Sequence, residues 1–242
     1  MAAPPAATTA SVTAQLPDPV VVRGLVGRRA VETLEHADPN MTSPPHSLFV
    51  GVTGASGAPY AVRLVQTLFA SGCDLSLSVT DTGVAVLRHE LGLEVDDRHL
   101  VTQAFLERAG ATARIFLPDD LEAPAASGSS FPDAAVVCPC SMSTVAHIAL
   151  GTTHTLVHRV GEVALKEGRP LVLVPREMPL SEIHLQRLLD ARRAGAHIVP
   201  PMPAFYARPE TVADLVDFVV GKVLNVLGFE QALFPPWGAE GP

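Results

Sequence analysis

The chain has 242 residues, 48% of them apolar, enough to bury a full core as one domain. Its formal net charge of −8 excludes a surface that tracks nucleic acid or an anionic membrane through clustered Lys and Arg, so any anion site has to be local. No apolar run reaches the roughly 18 residues of a membrane span and no basic start precedes an apolar core. Three cysteines fit neither a disulfide framework nor paired zinc ligands, so a cytoplasmic protein with reduced thiols is expected.

In chain order, residues 1–46 are rich in Ala, Pro and Thr and read as a flexible tail, with a short helix over 20–36. A first apolar strand over 48–52 runs into the glycine turn Gly51 to Gly57 and a helix over 58–70. Next come a strand over 75–80, helices over 83–91 and 100–108, and a strand over 113–116. A Pro- and Ala-rich stretch then carries Ser127-Gly128-Ser129-Ser130, which reads equally as a flexible loop or as a cover for a flat ligand. Beyond it lie a strand over 134–138, helices over 144–148 and 156–166, a strand over 170–174, a helix over 179–194 and a strand over 197–199. The last helix, over 209–227, has Pro209 in its first turn, Glu210 near its positive end and Gly228 just past its end. Its apolar stripe is Val212, Leu215, Val216, Val219, Val223 and Val226. This alternation predicts α/β architecture: a doubly wound, mostly parallel, Rossmann-like sheet forming one domain over 47–228, with 229–242 as an extension that closes the site or a subunit interface.

Ligands of open α/β sheets bind beyond the carboxyl ends of the strands. There the sequence places Thr53-Gly54-Ala55-Ser56-Gly57, Thr80-Asp81, Cys140-Ser141-Met142-Ser143-Thr144 and Arg176-Glu177. Glycines allow close backbone approach, and the helix starting at Ala58 aims free N–H groups and its positive dipole end at an anion, so this turn is expected to hold a phosphate. Arg159 and Lys166 are two helical turns apart with Glu162 between them, locally a solvated charged face. Lys222 edges the apolar stripe, where its stem can snorkel, and Tyr206 sits in a stiff Pro-rich aromatic loop. No metal site is expected: Cys138-Pro139-Cys140 has no matching ligand pair, and the one-turn spacing of His154 and His158 reads first as a polar helix start.

Eight collinear blocks between about residues 48 and 238 resemble the flavin prenyltransferases, the UbiX-like enzymes formerly described as aromatic acid decarboxylases. They are Gly51–Ala58, Ala126–Ser130, Cys138–Thr144, Ala164–Glu167, Val174–Glu177, Ile183–Leu185, Pro203–Tyr206 and Asp214–Val219. The resemblance implies a Rossmann-like domain assembled into a dodecamer or other homo-oligomer. Reduced FMN would be the acceptor, dimethylallyl phosphate the donor, and prenylated FMN the product, used by a partner decarboxylase. The implied chemistry is prenylation at flavin N5 and ring closure at C6, with no metal.

Carried over residue by residue, the resemblance makes Gly54, Ala55, Ser56, Thr80, Ser141, Met142, Ser143, Thr144 and Arg176 the FMN contacts. Arg159, Lys166, Tyr206 and Lys222 grip the donor's phosphate, partly from neighbouring subunits, and Trp237 lines the prenyl pocket. Ser56, Glu90 and Glu177 are the implied catalytic residues. The chain departs from the family pattern at His154-Thr155, where an Asp-Asn pair is usual, at Val160-Gly161-Glu162, and at Leu121, where Trp is usual. Two alternatives stay open: a flavin-dependent cysteine decarboxylase, and a non-catalytic FMN-binding subunit. An NAD-linked reductase, suggested by Asp81 at the end of the second strand, lacks a Tyr-x-x-x-Lys pair.

Overall fold

The computed structural model describes residues 43–235. Strands β1 (Ser47–Val52), β2 (Asp74–Val79), β3 (Arg114–Phe116), β4 (Ala134–Cys140), β5 (Leu171–Pro175) and β6 (His197–Ile198) form one sheet in the order β3-β2-β1-β4-β5-β6. Every pairing is parallel. That order places a topological switch between β1 and β4, where successive crossovers leave in opposite directions and open a crevice at the carboxyl edge.

Among the described residues seven helices cover the sheet: α1 (Ala58–Ala70), α2 (Asp81–Glu90), α3 (Arg98–Ala109), α4 (Met142–Leu150), α5 (Leu156–Lys166), α6 (Glu182–Arg193) and α7 (Val212–Val226). The pleat sorts the central strands between two cores. Leu48, Val50, Val52, Val136 and Val174 face a layer built from α1, α3 and α7, whereas Phe49, Ala135, Val137 and Leu173 face α4, α5 and α6. Continuous apolar runs such as 134–138 follow from this two-sided burial.

Several element bounds differ from the sequence reading for local reasons. α7 starts at Val212, not Pro209, because Thr211 accepts the Asp214 N–H and Asp214 reaches back to the Thr211 N–H, forming a capping box. Val212 is consequently exposed and drops out of the apolar stripe, which widens to include Phe218, Val220 and Leu224. Gly228 does end the helix, at φ +76°. β4 runs on through Cys140, and Ser127–Ser130 is ordered by two 3-10 turns, Pro124–Ala126 and Gly128–Ser130. Pro45 and His46, just before the expected boundary, already contact the body: the Cys73 thiol donates to the Pro45 carbonyl and the Asp74 N–H to the His46 carbonyl. At the other end, residues 229–235 fold back on α7, where Phe234 packs against Phe218. The helix expected over 20–36 and Trp237 lie outside the described residues.

Candidate active site

Hydrogen bonds beyond the sheet ladder stitch the carboxyl edge together. Thr80 N–H donates to the Val52 carbonyl, joining β2 to β1, and Arg176 N–H donates to the Cys140 carbonyl, joining β5 to β4. At the switch point the link is Thr53, 1% exposed. Its hydroxyl donates to the Pro139 carbonyl at 3.0 Å and accepts the Ser141 N–H at 2.8 Å, tying the first glycine turn to the β4–α4 turn. The sequence places Thr53 at this edge but assigns it no role, because nothing in one strand end announces its partner 86 residues away.

Helices α1, α2 and α4 open on this edge behind Gly57, Thr80 and Ser141, each singled out from sequence as a ligand residue or its neighbour. Thr80 caps α2 by accepting the Gly83 N–H at 3.1 Å, and Ser141 caps α4 by accepting the Thr144 N–H at 3.2 Å while bonding the Thr144 hydroxyl at 3.0 Å. The amides of Asp81 and Thr82, and of Met142 and Ser143, fall in the first turn and have no intrahelical partner, so they are donors open to an anion. Met142 and Thr144 have buried side chains, so their contribution is limited to the backbone, whereas Ser143 and Ser56 are exposed.

The expected anion position at the start of α1 is already filled. One carboxylate oxygen of Glu90 accepts the N–H of Gly57 at 2.9 Å and of Ala58 at 2.7 Å. Glu90 thus occupies, in this structure, the amides on which the sequence suggests a phosphate, and it holds the glycine turn. The turn itself is tight: a Cβ on Gly54 would overlap the Thr82 side chain, and one on Gly83 would lie 2.6 Å from the Val52 carbonyl. Across it reaches Arg176, whose Nε donates to the Ser56 carbonyl at 3.1 Å, leaving both terminal guanidinium nitrogens for an anion. Glu177 is exposed, its carboxylate accepting the Met178 N–H at 3.1 Å.

The residues expected to grip the donor divide between the two faces of the sheet. On the α7 side, the Tyr206 ring meets Phe218 edge-on at 5.7 Å, and the Lys222 amine lies 5.6 Å from the Phe218 ring centre and 5.3 Å from that of Phe234. The half-buried Lys222 thus makes cation–π contacts with both rings. On the other side, Arg159 donates to the Ala126 carbonyl at 3.2 Å and pairs with Glu162 at 3.1 Å. Lys166 closes the same helix two turns away, at the amino edge of the sheet, paired with Glu167 at 2.6 Å. One chain thus joins Tyr206 with Lys222 but leaves Lys166 far from Thr53 and Ser141.

Burial raises the thiol of Cys138 to about 12 and that of Cys140 further, so neither supplies a thiolate. His158 stacks on His147 and His154 meets it edge-on, with ring centres 4.5 Å apart in each pair. Burial, then the neighbouring imidazoles, push His158 down to about 4. Among the described residues no group of His, Cys, Asp and Glu could hold a metal ion, and no helix is long and apolar enough to cross a membrane.

A flavoprotein family model matches residues 36–224. The flavin prenyltransferase UbiX of Halalkalibacterium halodurans is 45% identical over 191 residues, covering 79% of this chain and 93% of the relative. The chain belongs to the flavin prenyltransferase family. Two solved structures of this kind superpose on it. AnUbiX (PadA1), in complex with FMN and dimethylallyl pyrophosphate, has a TM-score of 0.71 at 36% identity, covering 80% of this chain and 97% of that one. A dodecameric FMN-dependent UbiX-like decarboxylase from Escherichia coli O157:H7 has a TM-score of 0.68 at 44% identity, covering 79% and 98%. Flavin prenyltransferases are transferases, so the polar carboxyl edge is that of an enzyme.

Proposed function

We propose that this chain transfers a prenyl group from dimethylallyl phosphate to N5 and C6 of reduced FMN, releasing prenylated FMN to a partner decarboxylase. The observation that carries this reading is the donor set around Thr53. Hydroxyls, uncommitted helix-end amides and the Arg176 guanidinium converge at the switch point, and the Glu90 carboxylate is spent on the α1 amides. Such a set fits a doubly charged phosphate monoester. Gly54, Ala55, Thr80 and Ser141 to Thr144 form the cradle, and Arg176 closes it.

Reduced FMN supplies the nucleophile for the allylic carbon. Lys222 and Tyr206 hold the donor's phosphate and stabilise the charge it gains on leaving. Phe218 and Phe234 shield that position from water. Ser56 presents an exposed hydroxyl at the turn's tip and Glu177 a solvent-facing carboxylate, so these two handle the flavin's protons. Glu90 orients the turn that carries Ser56. Arg159 and Lys166 serve the site of a neighbouring copy, in a dodecamer like that of the Escherichia coli relative, with Trp237 against the prenyl group. The protein works in the cytoplasm, where its three buried free cysteines stay reduced.

The test is incubation of the protein with reduced FMN and either dimethylallyl phosphate or the diphosphate, followed by mass analysis of the flavin. A gain of one prenyl unit with release of phosphate or diphosphate is expected, and the better donor identifies the leaving group. Flavin bound but unaltered with both donors refutes the transferase reading. Ser56→Ala is expected to bind FMN normally and turn over slowly.

A further inference from the structure

α1 begins at the glycine turn that cradles the flavin, and α7 carries Phe218 and Lys222. Between these helices lies a buried ion pair. Arg63, 1% exposed, donates from Nε to one oxygen of Asp217 at 2.6 Å and from a terminal nitrogen to the other at 3.1 Å, while its remaining nitrogen donates to Gln66 at 2.7 Å. All three guanidinium nitrogens are engaged.

Stability alone does not call for such a pair, because burying two charges costs most of what their attraction returns, and apolar replacements of similar volume are often neutral. The rest of the α7 contact is apolar and repetitive. Val216, Val219, Val220 and Val223 are all buried and of one shape, so the helix could turn about its axis and exchange one valine for another at little cost. The bidentate pair admits one rotation. Asp217 directly precedes Phe218, and Lys222 lies four residues beyond Phe218 on the same face, so the rotation that satisfies Arg63 also sets where the ring and the amine point. Gly221 marks how closely that face is packed: a Cβ there would lie 2.5 Å from Phe234.

We infer that Arg63 and Asp217 are positioning residues for the donor. Their pair locks α7 in the rotation that aims Lys222 at the donor's phosphate, and so aligns the donor helix with the helix that starts at the flavin turn. This inference rests on the assignment of Lys222 to the donor.

A double-mutant cycle tests it. Asp217→Asn keeps the shape but loses the charge and one hydrogen bond, and kcat/KM for dimethylallyl phosphate is expected to fall roughly tenfold while the FMN dissociation constant changes less than about twofold. In a Lys222→Met background the same change is expected to have no further effect, since the lock then has no amine to aim. An equal loss in both backgrounds, or an unchanged kcat/KM in a folded Asp217→Asn protein, overturns the inference. Should Asp217→Asn fail to fold, the paired swap Arg63→Met/Asp217→Leu removes the lock while keeping the apolar volume, and the same cycle applies. Absence of turnover in the unaltered protein would instead count against the transferase reading.

Discussion

Replacing Thr53 by Val removes one oxygen and keeps the shape of the side chain. That oxygen serves two loops: it donates to the Pro139 carbonyl at 3.0 Å and accepts the Ser141 N–H at 2.8 Å. The Pro139 carbonyl keeps a second donor, the Thr53 N–H at 3.2 Å, so its loss is that of an ordinary hydrogen bond, about 1 kcal/mol. The Ser141 N–H loses its partner at a part-buried site, at a cost of about 1–3 kcal/mol. Together these come to about 2–4 kcal/mol, which for a domain of this size lowers Tm by about 6–12 °C. Because Thr53 joins the two turns that form the cradle, FMN affinity is expected to fall as well. Differential scanning calorimetry and flavin fluorescence titration measure the two effects, and Thr53→Ser, which keeps the hydroxyl, is expected to recover most of both. A Thr53→Val protein within 2 °C of the parent and with unchanged FMN affinity would show that the switch point holds together without this bridge, and would refute the reasoning.

Glu90→Ala strips the α1 amides of their acceptor and is expected to lower Tm by about 3–8 °C, whereas Glu90→Gln, whose amide oxygen can take both N–H groups, is expected to fall between it and the parent in thermal melts. In Gly54→Ala the added methyl meets the Thr82 side chain, so isothermal titration is expected to show FMN binding weakened roughly tenfold, with recovery in Gly54→Ala/Thr82→Gly. His158 titrates near 4 when folded but near 6.5 when unfolded, so in that window the unfolded chain binds more protons. Its contribution is complete above pH 6.5 and lost as pH falls toward 4, up to about 3 kcal/mol. The lowered carboxylates of Asp133 and Asp214 act only below about pH 4, but His147, also lowered by burial and then by His154, keeps part of the slope, so melts between pH 6.5 and 4.5 are expected to become less steep in His158→Leu without flattening.

The sheet was legible because strands buried on both faces read as unbroken apolar runs, and the runs over 48–52 and 134–138 fell where β1 and β4 lie. Helix α5 was equally plain, with its apolar residues repeating on one face. The start of α7 was misplaced because a proline in the first turn competes with a Thr-x-x-Asp capping box, and the side-chain cap prevailed. The site divides in the same way. Thr80, Ser141 and Arg176 could be found from the polarity of individual strand ends. The bridge of Thr53, the carboxylate of Glu90 on the α1 amides, and the separation of Lys222 from Lys166 depend on which strands are neighbours and which face each helix covers, and local spacing does not encode that.

The sheet ends in strands of three and two residues, β3 and β6. Strands so short offer too few free backbone groups to template another chain, and so guard the protein against growing edge to edge into fibres. Any contact between copies then falls to side chains away from the strand edges, such as Met178 in the loop before α6 and Ile183 and Leu185 on α6, which are 85%, 71% and 54% exposed. Contacts of that kind are set one residue at a time. Assembly can drift or be redesigned through single surface substitutions, while the strands that position the catalytic edge stay untouched.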